Sequence, residues 1–214
     1  KPPLATMIMG LSARLFGFSS FSMLLPSVLA GVGSVWLLYS VVKRQFGFTS
    51  AIISAVTLTL TPVAALMFGF NNPDAILTFM LTASGYAFLR SFALEGRHPL
   101  LWLGLAGLFT GLAFNTKMLQ GLMVLPAMVI VYLAFAKPPI VTRFLHLMFA
   151  GVITTVSTLW WSVLVWLTPS GNRPWVGSTN DNSIWSLIFG YNGFGRLLGN
   201  RGGGGGGTPP SSTG

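Results

Sequence analysis

Two arginines, Arg173 and Arg196, bracket a stretch rich in Gly, Asn, Ser and Thr that also holds Trp175, Tyr191 and Asn192. Guanidinium forks bind phosphate through two parallel hydrogen bonds, and the intervening glycines let backbone approach a ligand closely. Trp175, Trp185 and Tyr191 fit two roles: belt aromatics at a membrane interface, or flat faces that stack on sugar rings. A second cation, Lys117, lies in a long and mostly apolar run. A lysine in that setting pairs, snorkels to the surface or lines an aqueous cavity. Gln120, one turn later, would share such a cavity. Asp74 directly follows Pro73, where a carboxylate meets the positive end of a helix dipole and Asn71 or Asn72 could cap the same helix. Asn71, Asn72 and Asp74 are equally placed to bind a substrate, and the two roles are compatible. Lys1, before Pro2 and Pro3, is the remaining candidate. Taken together, these side chains suit a phosphate and a sugar.

The surrounding elements must be membrane helices. Of the 214 residues, 52% are hydrophobic and 7% charged, against about 25% charged in soluble domains. Apolar stretches long enough to cross a bilayer fall at about Ser22–Val42, Phe48–Phe70, Ala75–Leu94, Pro99–Thr116, Met118–Ala136 and Phe144–Thr168. Leu4–Phe16 is too short to span and carries Arg14, which predicts a juxtamembrane helix stopped by Gly17-Phe18-Ser19-Ser20. The fold class expected is all-α, a polytopic membrane helix bundle of about six spans. Residues 169–200 form an exported loop, and 201–214 a flexible tail built on the glycine run Gly202–Gly207 and Thr208-Pro209-Pro210. The absence of cysteine excludes disulfides and thiol catalysis, and His98 with His146 is too sparse a set for a zinc site. No metal or cofactor is expected.

Sidedness follows from lysine and arginine in short loops. Lys43 and Arg44, Arg90 and Arg97, and Lys137 with Arg143 mark three cytoplasmic turns, so both chain ends lie outside the cytoplasm. The net charge of +9 then sets orientation and meets lipid headgroups, and nucleic-acid binding is not expected. The candidates Lys1, Asn71, Asn72, Asp74, Lys117, Gln120 and the 173–196 stretch all come to the outer face. An exported start at Lys1 without a signal peptide predicts that the chain is a fragment lacking at least one upstream span.

Ordered blocks carry a resemblance. Lys1-Pro2-Pro3-Leu4, Leu25-Pro26-Ser27-Val28-Leu29-Ala30-Gly31, Asn71-Asn72-Pro73-Asp74-Ala75, Thr116-Lys117-Met118-Leu119-Gln120, Arg173-Pro174-Trp175-Val176-Gly177-Ser178 and Gly190-Tyr191-Asn192-Gly193 resemble the multi-spanning family 39 glycosyltransferases. This is the superfamily of protein O-mannosyltransferases and aminoarabinose transferases, of GT-C architecture, and the blocks resemble its bacterial branch across nearly all of residues 1–200. Trp175 stands where that pattern leads one to expect tyrosine. The resemblance implies inverting transfer of a sugar from a polyprenyl-phosphate donor to a glycan, lipid or protein acceptor outside the bacterial plasma membrane. It implies that Lys1 helps bind the carrier phosphate. It also implies a catalytic aspartate in a loop ahead of the Lys-Pro-Pro block, upstream of Lys1, so that the isolated chain would be inactive. Displacing a lipid phosphate needs cations around the leaving group and a base for the acceptor's proton. Lys1, Lys117, Arg173 and Arg196 could supply the cations. A different class, a transporter or flippase segment, would require polar residues at mid-span and on both faces. The polar residues here concentrate on one face, and an inactive structural segment is the third alternative.

Overall fold

The computed structural model describes residues 2–92, 98–169, 171–173, 175–177, 179 and 181–194, without the side chains of residues 98 and 191–194. Among these residues the chain is all helix: α1 (Leu4–Phe16), α2 (Ser20–Leu60), α3 (Pro62–Phe68), α4 (Pro73–Phe92), α5 (His98–Lys117), a 3₁₀ turn (Met118–Leu122), α6 (Leu125–Phe135), α7 (Ile140–Leu167) and a π-helical segment (Ser186–Phe194). Two compact units divide it, Pro2–Ser157 and a second that takes up Thr158 onward.

Small polar residues set the first corner. Gly17, with φ 79°, ends α1 in a conformation that favours glycine. Ser19 then caps α2, accepting from the Ser22 amide at 3.2 Å, while the Ser22 hydroxyl donates to the Gly17 carbonyl at 2.6 Å. Ser12 on α1 donates to the Ser22 carbonyl at 2.6 Å, which ties the two helices together.

At 1.5 Å per residue, the 41 residues of α2 would extend about 60 Å, twice a bilayer core, were the helix straight. Gly47 breaks it, at φ 86° and ψ 179°. The limbs 20–46 and 48–60 fold back on each other, and Thr61-Pro62 interrupts the return limb before α3. A side-chain carbon at Gly31 would lie 2.7 Å from the Phe68 ring, so the limbs touch through glycine. Between them runs an apolar groove of about 410 Å³ lined by Val28, Val32, Leu58, Ala65 and Phe68.

The six apolar stretches expected from the sequence lie largely on helix but are cut differently. Among the described residues, four elements are long and apolar enough to cross a membrane: Ser20–Leu60, Pro73–Phe92, Pro99–Leu122 and Ile140–Leu167. The stretch expected as one span at Phe48–Phe70 is two pieces, because Pro62 lacks the amide a continuous helix needs. The stretch expected at Met118–Ala136 opens as the 3₁₀ turn and becomes α-helix only from Leu125.

Within the larger unit, α4 and α5 form an antiparallel pair. Ser84 donates to the Ala106 carbonyl at 2.9 Å and shares a 2.8 Å hydrogen bond with Thr110. Such bonds average about 0.6 kcal/mol in membrane helices, so close packing must carry most of the association. On its other side α5 meets α7 through Gly107 and Gly111: a Cβ at Gly107 would sit 2.7 Å from the Ala150 carbonyl oxygen, and one at Gly111 2.8 Å from that of Thr154. There α5 and α7 pack backbone to backbone. At the end where α4 finishes and α5 begins, Phe88, Leu103, Ala106, Tyr132 and Ala150 form a buried core, with Phe92 and Leu147 against it. Tyr132, 1% exposed, shares a 2.8 Å hydrogen bond with His146 Nδ1.

Candidate functional site

At the opposite end of the α4–α5 pair, two sequence candidates meet. Pro73 opens α4, and the Asp74 amide donates to the Asn72 side-chain oxygen at 3.1 Å, so Asn72 caps the helix. The Asp74 carboxylate occupies the first turn, where the helix dipole favours it. Lys117 is the last residue of α5, and its ammonium forms an ion pair with Asp74 Oδ1. The side chains are 27% and 20% exposed, so neither charge is sealed from surroundings. Asn71 and Gln120 are exposed at the two turns that carry the pair.

The backbone around Lys117 is unusual. Lys117 leaves the helix at φ −146° and ψ 28°, and Met118 follows at φ 51°. An L side chain in the left-handed region costs of order 1–3 kcal/mol, and such strain concentrates at functional sites. Three neighbours hold the turn in place. Asn115, 2% exposed, donates to the Gly111 carbonyl at 3.1 Å and to the Ser157 carbonyl at 2.7 Å. Met118 is itself buried. Gly121 is buried where a Cβ would come within 2.4 Å of the Phe114 nitrogen, so the turn doubles back against the end of α5. Sequence reasoning missed Met118 and Gly121 as determinants of Lys117 placement. The one available signal was a glycine four residues after a lysine at a helix boundary.

In the second unit, Arg173, expected as a phosphate fork, meets backbone carbonyls. Its Nε donates to the Thr168 carbonyl at 3.1 Å and one terminal nitrogen to the Thr168 and Trp166 carbonyls, each at 2.8 Å. The other terminal nitrogen reaches the Asn182 carbonyl at 3.1 Å. The guanidinium therefore covers the carbonyls left open at the C-terminal end of α7 and pins the loop to them. Asn182, at φ 50°, returns a side-chain bond to the Val176 amide at 2.7 Å. Trp175 is 37% exposed, and Trp185 stacks at 6.3 Å on Phe189. Asp181 accepts from Ser186 Oγ at 2.6 Å and from the Ser183 amide at 3.2 Å. The Ser186 hydroxyl, chiefly, holds this exposed carboxyl below the usual aspartate range. Tyr191 and Asn192 lie in the π-helical segment, described by backbone alone, while Lys1 and Arg196 lie outside the described residues.

Comparison with known proteins decides the family. The model of the dolichyl-phosphate-mannose-protein mannosyltransferase family matches residues 1–161. The chain belongs to that family. It is 39% identical over 199 residues to a putative mannosyltransferase, YkcB, of Bacillus subtilis, and 41% identical over 199 residues to a second, YycA. Both alignments cover 93% of the chain, but only 27% and 29% of those relatives. The chain thus spans little more than a quarter of the length of these mannosyltransferase-family relatives. A further relative, the undecaprenyl phosphate-alpha-4-amino-4-deoxy-L-arabinose arabinosyl transferase 1 of Proteus mirabilis, is 29% identical over 140 residues, 64% of this chain and 25% of its own. The fold matches the crystal structure of ArnT from Cupriavidus metallidurans in the apo state, with a TM-score of 0.66 at 22% identity. That match covers 93% of this chain and 38% of ArnT. With its long apolar helices, this member of the mannosyltransferase family is a multi-pass membrane protein of GT-C fold.

Proposed function

We propose that the chain is part of a membrane glycosyltransferase that moves a sugar from a polyprenyl-phosphate carrier to an acceptor on the extracytoplasmic side. The observation that carries this reading is the Asp74–Lys117 pair, a partly open charged junction on a strained turn, in a chain of mannosyltransferase kinship. Lys117 supplies positive charge to the carrier phosphate as the glycosidic bond breaks, where preorganised charge is worth most. Asn71, Asn72 and Gln120 line the approach, and Lys1 and Arg196 are further phosphate contacts. Trp175, Tyr191 and Asn192 contribute to the sugar or acceptor side. Arg173 acts through the loop it anchors. Asp74 is engaged by Lys117, and Asp181 by Ser183 and Ser186, so neither is assigned as the general base. By family resemblance that base is an aspartate in a segment preceding Lys1. Lysine and arginine at 43, 44, 90, 97, 137 and 143 support an orientation with the opposite turns in the cytoplasm.

The test is sugar transfer by the full-length protein in proteoliposomes from an undecaprenyl-phosphate-linked donor. Lys117→Ala should lower kcat/KM by about 100-fold, the scale of losing one preorganised charge contact, with membrane insertion and thermal unfolding unchanged. Transfer at the unmodified rate by a well-folded Lys117→Ala protein would sink the proposal.

A further inference from the structure

We infer that Asp74 is a positioning residue that competes with the carrier phosphate for the Lys117 ammonium, and so controls how readily the phosphate leaves. This rests on the function proposed above. Asp74 is held in place without help from Lys117: Pro73 starts the helix, Asn72 binds the Asp74 amide, and the first turn of α4 favours a carboxylate. Lys117 is likewise placed by its own turn, through the non-helical backbone at Lys117 and Met118 and the glycine contact at Gly121. Two charges set by separate elements therefore meet as a pair that neither element needs in order to fold. The pair is also exchangeable. With 27% and 20% of the side chains exposed, its attraction is in the weak range of solvent-accessible ion pairs. The donor's phosphodiester carries one charge, as a carboxylate does, and the phosphomonoester left after transfer carries up to two with three acceptor oxygens, so the carrier phosphate displaces Asp74 from the ammonium.

Displacement leaves the carboxylate beside a bound anion. Repulsion between them then favours release of the free carrier phosphate once the sugar has gone, after which the pair re-forms. A carboxylate that only capped α4 would have no such effect on phosphate affinity. Removing the Asp74 charge is therefore expected to tighten binding, the reverse of what loss of a purely structural or directly ligating residue would do.

The experiment measures binding of undecaprenyl phosphate to the full-length protein in nanodiscs, alongside steady-state transfer. Asp74→Asn should bind undecaprenyl phosphate about two- to fivefold more tightly, the range of one exposed ion pair. KM and kcat should fall together, because release becomes slow. Asp74→Ser, which keeps a hydrogen-bonding side chain at the helix start, should show the same gain, and Asp74→Glu should restore the original affinity. The gain should vanish when Lys117→Met is added. If the unmodified protein binds undecaprenyl phosphate but both neutral variants bind it equally or more weakly, the competition is overturned and the transferase reading stands. If the unmodified protein does not bind undecaprenyl phosphate at all, both fall.

Discussion

Lys117 and Arg173 are both cations at the C-terminal end of a long apolar helix, yet the structure uses them in opposite ways. Arg173 directs its donors to three backbone carbonyls, those of Trp166, Thr168 and Asn182. Lys117 meets a single carboxylate on another helix, partly exposed, from a backbone that has left helical geometry. A guanidinium committed to carbonyls has no reason to exchange partners, because each lost bond strands an acceptor. An ammonium paired with one accessible carboxylate exchanges at little cost. Cation type and position along a helix thus do not identify a ligand site. What a ligand needs is a charge whose present partner can be replaced.

The sharpest way to break the contrast is to disturb the turn that presents Lys117 while leaving its charge intact. Gly121→Ala places a carbon against backbone atoms of Ala113 and Phe114, 2.5 and 2.4 Å away, and backbone cannot step aside as a flexible side chain does. The turn must move. A displacement of about 1 Å at a reacting centre costs on the order of 100-fold, so transfer should fall by that scale, with the Kd for undecaprenyl phosphate raised. Transfer within about twofold of the unmodified rate would show that the turn does not position Lys117.

The matching change on the other side is Arg173→Ala. It should lower the stability of the loop by about 1–3 kcal/mol, as expected when charge-assisted bonds to helix-end carbonyls are lost, and open residues 171–189 to proteolysis at lower temperature. Arg173→Lys should recover only part of this, since one ammonium cannot span the carbonyls that a planar fork reaches. Undecaprenyl phosphate affinity should be unchanged in Arg173→Lys. A loss of affinity without a loss of loop protection would return Arg173 to the phosphate.

Much of this contrast was hidden in the sequence for identifiable reasons. The all-helical membrane bundle was legible because apolar run length is dictated by bilayer thickness. Lys117 was conspicuous because an amine in an apolar run demands a partner. Its pairing with Asp74 was not legible, since it depends on α4 and α5 packing through Ser84, Ala106 and Thr110, which no local signal reports. The positive φ at Met118 runs against that residue's own preference and can only be imposed by tertiary contacts. For Arg173 the sequence leaves two uses open, because a fork that fits phosphate also fits helix-end carbonyls. An arginine a few residues past a helix end was signal enough to weigh that second use. Pro62 was likewise visible inside the stretch taken as one span, where its missing amide divides the return limb.

The smallest expected effect concerns the far side of the same loop. Asp181 is exposed, and its carboxyl titrates below its ordinary value mainly because Ser186 donates to the charged form. A depressed folded-state value means that the contribution to loop order is complete above the unfolded-state value. It is lost as pH falls through the lower, folded-state value. Acidification should therefore loosen the 181–186 segment only below the usual aspartate range. Ser186→Ala should move that loosening to higher pH, towards the ordinary value, as followed by amide hydrogen exchange at Ser183. The Asp74–Lys117 junction belongs to the other unit, so the Ser186→Ala shift should leave the pH dependence of undecaprenyl phosphate binding where it was. If that dependence moved with the loop, the separation between an anchoring loop and an exchangeable ion pair would have to be given up.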